Sequence, residues 1–404
     1  MKIPSIICFL CFLSSCTYCK IYHNPEGSPM ENGRKKEWIS FISRRIISSR
    51  SCPDEALSSY YLTQEESLEF FKKMKVKNTI TWVGHATFLI KINEFYILTD
   101  PFFSDVAGVI GIGPKRYFPP GINLEDIPKL DAILCSHDHY DHLDLKSLSQ
   151  IYKKFGREVQ IYCPLGCGKY FEKVGFKKIH EMDWNQTATL YRNELKNRNF
   201  EKEVSQELNP EQATILAQEG ASESRSSGER RMLSKSDSSD HLGLYKIDIF
   251  CFPAVHNSGR SIGTKNKTLW CSFGLKTTGY SIYFSGDTGY HPYIFKECRE
   301  QLGGCDLALI GIGAYCPENL LGCSHVNPEN AVEIANDLQA TNIVGMHWGT
   351  LNLSDEPVCE PILRFLEAAK QKGFSSERVW PMKIGETRPL PFLFPELVPL
   401  KSEF

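Results

Sequence analysis

The chain of 404 residues has no large excess of either charge. Its 46 lysines and arginines stand against 48 aspartates and glutamates, a formal net charge of −2. That balance offers no broad basic face, so no nucleic-acid partner is expected and a nuclease is disfavoured. No run approaches the roughly 20 apolar residues that a membrane-crossing helix needs. The longest such run near the start, Ile3 to Leu13, is too short for one. There is no internal repeat, which removes solenoids and propellers. Cys163 and Cys167 lack the second pair of ligands that a structural zinc site requires.

Cysteine itself is abundant, with 15 in the chain. Cys135, Cys251 and Cys271 sit inside apolar, strand-like runs, where a free thiol behaves as a small hydrophobe. No disulfide pairing is assigned. An apolar share of 42% is enough for a sizeable core.

Residues 1–19 read as a secretory signal: Lys2, a short apolar run, then small residues before Cys16. Leu13-Ser14-Ser15-Cys16 resembles the lipobox of bacterial lipoproteins. The expectation is export, with Cys16 lipid-anchored to the bacterial cell envelope. A polar N-terminal arm follows over 20–78, with a helix expected from Gln64 to Lys75. From residue 79 to about 390 the chain alternates short strands with turns and helices. Thr79–Val83, Phe88–Ile92, Phe95–Thr99 and Asp131–Cys135 read as strands, and Leu143–Phe155 as a helix. Strands resume at Tyr245–Pro253, Leu269–Thr277, Ser281–Ser285, Leu307–Ile312 and Asn342–Met346. Pro328–Leu338 reads as a helix that Asn327 caps. Residues 193–241 interrupt this domain with a Ser-, Glu- and Lys-rich stretch. It holds no aromatic residue after Phe200 and cannot offset its ordering entropy, so a disordered insertion is expected. Residues 391–404 form a C-terminal tail. Strands with helices in both halves suit an α/β, four-layer αββα sandwich.

Ser136-His-Asp-His-Tyr-Asp-His142 places three imidazoles and two carboxylates within six residues at a strand end. Packing does not explain that composition, whereas imidazole and carboxylate are good zinc ligands. Alternate loop residues point to opposite sides, so His137 and His139 are candidates for one ion, Asp141 and His142 for another. His256, Asp287 and His347 each follow a later strand-like run. Singly these are weak signals. In this order they resemble the metallo-β-lactamase superfamily. The resemblance implies His137, His139 and His256 on one ion, Asp141, His142 and His347 on a second, and Asp287 bridging. Two ions, most simply Zn2+, acidify a shared water and neutralise charge developing on the substrate.

Trp82-Val-Gly-His-Ala-Thr87, Leu98-Thr-Asp-Pro101, Gly113-Pro-Lys-Arg116, Ser324-His-Val-Asn-Pro328 and Met346-His-Trp-Gly-Thr350 narrow the resemblance. They are similar to the branch that contains N-acylphosphatidylethanolamine-hydrolysing phospholipase D. That implies a metal-dependent phosphodiesterase acting on a phospholipid or membrane surface, with Asp141, Asp287 and His325 as catalytic residues. His325 is either a proton donor to substrate or a structural loop residue. Asp100 is either an acceptor for a ligand imidazole or a turn residue before Pro101. His85 either lines the site or hydrogen-bonds beneath it. Lys115 and Arg116 either contact phosphate, beside Tyr117 and Phe118, or form a solvated basic turn. His180, His241 and His291 read as structural or surface residues. Asn257-Ser-Gly-Arg260 departs from the branch pattern and leaves a second reading, a lactonase or carboxylic-ester hydrolase of small molecules. A metal-stabilised binding lipoprotein is the third.

Overall fold

The computed structural model describes residues 20–30, 36–38, 40–41, 55–74, 78–109, 111–191, 246–261 and 263–391. The expected signal segment, the C-terminal tail after residue 391 and the 193–241 insertion lie outside the described residues. Among the described residues, no helix is long and apolar enough to cross a membrane.

Two sheets carry the fold. The first holds β1 (Thr79–Gly84), β2 (Thr87–Ile92), β3 (Phe95–Thr99), β4 (Ala132–Leu134), β5 (Gln160–Pro164), β6 (Lys178–Met182) and β13 (Thr387–Pro389), in the order β13-β1-β2-β3-β4-β5-β6. The second holds β7 (Gln186–Tyr191), β8 (Lys246–Phe252), β9 (Ser272–Lys276), β10 (Ser281–Phe284), β11 (Leu307–Gly311) and β12 (Asn342–Met346), in the order β12-β11-β10-β9-β8-β7. Both sheets are mixed. β3 to β6 run parallel, as do β10 to β12, and the remaining pairs are antiparallel.

The layering follows from side-chain alternation along each strand. Trp82, Phe88, Ile90 and Ile97 point into the core that also holds Ile249, Phe273 and Tyr283 of the second sheet. Their neighbours Val83, Leu89 and Leu98 point the other way, onto helices α2 (Leu145–Phe155) and α3 (Gly168–Val174), through Leu148, Ile151 and Phe171. Helices α4 (Ile294–Leu302), α5 (Pro328–Asp337) and α6 (Glu360–Gln371) cover the second sheet with Phe295, Ile334 and Phe365. β1, β2 and β3 are covered on both faces and buried at every position, and most of their residues are apolar. This is the expected αββα sandwich.

Boundaries shift where a cap decides them. Helix α1 (Gln64–Lys73) starts at a Thr63–Glu66 capping box and ends at Lys73, two residues short of the expected Lys75, with Met74 as its C-cap. Helix α2 starts at Leu145 rather than Leu143 because Asp144 accepts from the Lys146 and Ser147 amides, at 3.2 and 3.1 Å. Asn327 caps α5 as expected, with Pro328 in its first turn. Tyr191 and Lys246 pair across β7 and β8, at the opposite end of β8 from His256.

Candidate metal centre

The chemistry-bearing residues lie just past the C-terminal ends of their strands. Asp100 follows β3, the 136–142 loop follows β4, His256 follows β8, Asp287 follows β10 and His347 follows β12. These strands run in one direction across two packed sheets, so five distant segments meet at one rim. The backbone is bent sharply there. His85, Asp100 and His347 adopt left-handed φ values of 55°, 32° and 62°. Non-glycine residues hold such values only where their surroundings enforce them, commonly at functional sites. At Gly286 (φ 54°) an added Cβ would lie 2.5 Å from that of Ser136, so only glycine lets Asp287 approach the histidine loop.

Two donor clusters share this rim. One is His137, His139, His256 and Asp287; the other is His85, Asp141, His142 and His347; within each, the donor atoms lie within 4.8 Å of one another. In the first, His137 Nε2 is 2.9 Å from His139 Nδ1, and His256 Nε2 is 3.3 Å from the same atom. In the second, Asp141 Oδ2 lies 3.5 Å from His142 Nε2 and 3.6 Å from His347 Nε2. Asp287 stands between the clusters. Its Oδ2 is 3.7 Å from His137 and from His256, and 3.1 Å from His142, while its Oδ1 is 3.2 Å from His347. The seven residues expected from the sequence are therefore gathered at one place, with the Asp287 carboxylate between the two clusters.

The donor set fits divalent ions. His142 Nε2, His347 Nε2 and Asp287 Oδ1 are buried without a hydrogen-bonded partner, although they face one another. Buried polar atoms of this kind are normally satisfied, and converging unsatisfied lone pairs define a cation cradle. The opposite ring nitrogens are fixed: His142 Nδ1 donates to Asp100 Oδ2 at 2.7 Å, and His256 Nδ1 to the Ser324 carbonyl at 2.9 Å. His137 Nδ1 lies 2.9 Å from Ser136 Oγ, which itself donates to Asp100 at 2.6 Å. Such outer bonds set the tautomer that leaves Nε2 free to ligate.

Electrostatics agree with this arrangement. Burial pushes the His137, His139 and His256 imidazoles down, so they are neutral and able to ligate. Burial alone would also lower His142 and His347. The Asp287 and Asp141 carboxylates outweigh it, holding His142 well above its usual value and raising His347 to about 9. Burial acts upward on Asp141 and Asp287, yet the facing imidazoles, His142 first, hold both carboxyls well below the usual range. The pocket thus demands positive charge, as protons or as metal. Burial pushes the Asp100 carboxyl up, against the hydrogen bonds from His142 and Ser136.

The remaining expectations divide. Asp100 is a buried acceptor for a candidate ligand imidazole. His85 serves both of its open readings: it is buried, and its Nε2 lies 2.8 Å from Asp141 Oδ2. His325 sits at the open side, 15% exposed, with Nδ1 3.9 Å from Asp287 Oδ2. His180 stacks on Tyr162, and His291 is buried beside α4, whereas His241 lies outside the described residues. Arg116 matches neither of its readings. Its guanidinium turns inward and donates to the Phe118, Phe102 and Val83 carbonyls at 3.2, 3.1 and 3.4 Å, pinning the loop below His85.

Two supporting residues escape a reading by motif. Arg260 donates to the Asp138 and Leu143 carbonyls, both at 2.7 Å, and lies 4.0 Å from the Tyr140 ring centre, so it clamps both ends of the histidine loop. Asp138 is buried and accepts from the Gly259 amide at 2.7 Å. Asp138 sits inside the motif, but nothing local distinguishes it from a solvent-facing spacer.

The Beta-lactamase superfamily domain matches residues 96–348, well over half of the chain. The protein belongs to the metallo-β-lactamase superfamily. With its two donor clusters it is a metal-dependent hydrolase of that fold. Over 271 residues it is 33% identical to N-acyl-phosphatidylethanolamine-hydrolyzing phospholipase D 1 of Caenorhabditis elegans, covering 67% of this chain and 63% of that one. It is also 33% identical to the mitochondrial N-acyl-phosphatidylethanolamine-hydrolyzing phospholipase D of Saccharomyces cerevisiae, over 76% of this chain and 55% of that one. The chain therefore spans less than two thirds of either relative's length. Among solved structures, the isothiocyanate hydrolase from Delia radicum gut bacteria superposes with a TM-score of 0.50 at 14% identity, covering 77% of this chain and 98% of that one, which speaks to fold alone.

Proposed function

We propose that the protein is a phospholipase D-type phosphodiesterase that cleaves N-acylphosphatidylethanolamine-like glycerophospholipids at a membrane surface. The observation that carries this reading is the placement of His325, a half-buried imidazole facing Asp287 on the open side of a bridged double cluster. The phospholipase D relatives support the substrate class. In this reading His137, His139 and His256 hold one ion, Asp141, His142 and His347 a second, and Asp287 both. When bound, the ions, zinc by donor chemistry, supply an acidified water and a positive cradle for the phosphodiester. Asp141 is held by His85 and 15% exposed, so it accepts a hydrogen bond from the attacking water and orients it. Burial pushes His325 down to about 4, so near neutral pH it is an uncharged ring. Its role is then to donate one N–H to a phosphoryl oxygen rather than to act as a strong acid. Cys16 anchors the exported chain to the envelope.

One observation favours the second reading, a lactonase or carboxylic-ester hydrolase. Among the described residues, the cavity beside His325 is small, about 240 Å³, and mixes Asn319, Asn327 and Asn330 with Tyr315, Pro29 and Met30 rather than forming a wide apolar groove. Hydrolysis in oxygen-18 water separates the two. Attack at phosphorus labels the phosphatidate, whereas attack at a carbonyl labels the carboxylate. His325→Ala is expected to keep both ions and lose about 10²–10⁴-fold in rate. Label found only in carboxylate, or near-normal turnover by His325→Ala, sinks the phosphodiesterase reading.

A further inference from the structure

We propose that the N-terminal segment Tyr22–Met30 is a working wall of the metal centre, in which Asn24 positions His256 and Pro29–Met30 roof the cavity beside His325. Nothing in the segment's composition announces this. It is a mixed stretch with two prolines and a glycine and no regular apolar pattern, and it precedes the first strand by some fifty residues. The structure nevertheless fastens it at three points. The Tyr22 amide donates to the Asn266 carbonyl at 2.9 Å. Asn24 Oδ1 accepts from the His256 amide at 2.9 Å and from Trp270 Nε1 at 3.1 Å. His291 Nε2 donates to the Glu26 carbonyl at 2.9 Å.

The middle contact is the informative one. His256 has its ring fixed through Nδ1 on the Ser324 carbonyl, and its backbone fixed through the Asn24 side chain, 232 residues away in sequence. Two independent bonds thus set the place from which Nε2 reaches the first donor cluster. Past Asn24, Pro25 and residues 27–30 wall a cavity of about 480 Å³ with His256, Asn257, Cys323 and Ser324. Pro29 and Met30 continue over the smaller cavity that His325 lines. Met30 is 79% exposed at its outer edge, free to meet whatever enters.

The Asn24 half of the inference rests on the metal reading and not on any substrate. It is tested by cobalt and zinc titration of the metal-free full chain, with a chelator as competitor. Asn24→Ala should bind one ion with wild-type affinity and the other about 10–100-fold more weakly, the usual effect of removing a bond behind a ligand. The visible spectrum of the cobalt protein should change with it. Asn24→Asp keeps an acceptor oxygen and should restore both. If Asn24→Ala does not fold, Asn24→Ser, too short to reach the two donors, carries the same test. Two wild-type affinities in the Ala or Ser variant overturn the role of Asn24. Failure of the wild-type chain to bind two ions overturns the metal reading instead. The roof rests on the hydrolase reading and is tested separately. Met30→Ala should keep full metal content while changing KM more than kcat on the best substrate found. An unchanged KM overturns it.

Discussion

Asp100 to Asn is a change of one atom, and the structure gives it a specific consequence. Asp100 is fully buried and accepts three hydrogen bonds: Oδ1 from the Ser136 amide at 2.6 Å, Oδ2 from Ser136 Oγ at 2.6 Å and from His142 Nδ1 at 2.7 Å. The Ser136 amide cannot turn, so the new amide oxygen must stay opposite it. The new NH2 group then faces His142 Nδ1, which has to give up its proton and become an acceptor. The one proton the ring keeps is then on Nε2, the nitrogen that points at Asp287 and Asp141. His142 keeps its place but loses the lone pair a metal needs. Loss of an outer hydrogen bond behind a ligand weakens binding about 10–100-fold, or about 1.4–2.8 kcal/mol. If the amide sits the other way round, an N–H is left facing an N–H, at about 1–3 kcal/mol of folding stability. The assay is competitive zinc titration of the metal-free variant, alongside thermal unfolding. Wild-type affinity for both ions in a folded Asp100→Asn protein would refute the tautomer argument.

Five further outcomes are expected. Asp287→Asn should lose both ions together, because its two oxygens face both clusters, and elemental analysis reads this directly. Metal binding should release protons near pH 7–8, since the metal-free protein holds His142 and His347 protonated; calorimetry in buffers of different ionisation enthalpy measures it. The same raised values mean that His347 stabilises the metal-free fold fully below its unfolded value of about 6.5. That contribution is lost as pH rises through about 9, which pH-dependent unfolding checks. Arg260→Met should lower stability by about 2–4 kcal/mol, from two charge-assisted bonds and a ring contact, and should weaken metal binding by freeing the histidine loop. Cys16→Ala should shift the protein from the membrane to the soluble fraction, and absence of palmitate incorporation into the wild-type chain removes the lipid anchor.

The layered fold and the site's inventory were legible in the sequence for local reasons. Strands such as Phe95–Thr99 carry β-branched and aromatic residues between turn signals, and caps such as Asn327 act on the next three residues. His137, His139, Asp141 and His142 are adjacent in sequence, so their shared chemistry needs no fold to be noticed. What lay beyond a local reading was decided by strand direction. His256, Asp287 and His347 are unremarkable where they stand, and only the common orientation of β4, β8, β10 and β12 brings them to one rim. Arg116 and Arg260 show the same limit from the other side. Both are basic residues in glycine-containing loops, alike in sequence, yet one pins a buried turn and the other spans the histidine loop. Asn24 is further still, its role set by a backbone amide more than two hundred residues away. Composition and spacing determined which elements form and which chemistry the chain carries. Tertiary packing alone determined which polar side chains are taken out of water and given a single partner, because that choice depends on neighbours the local sequence does not contain.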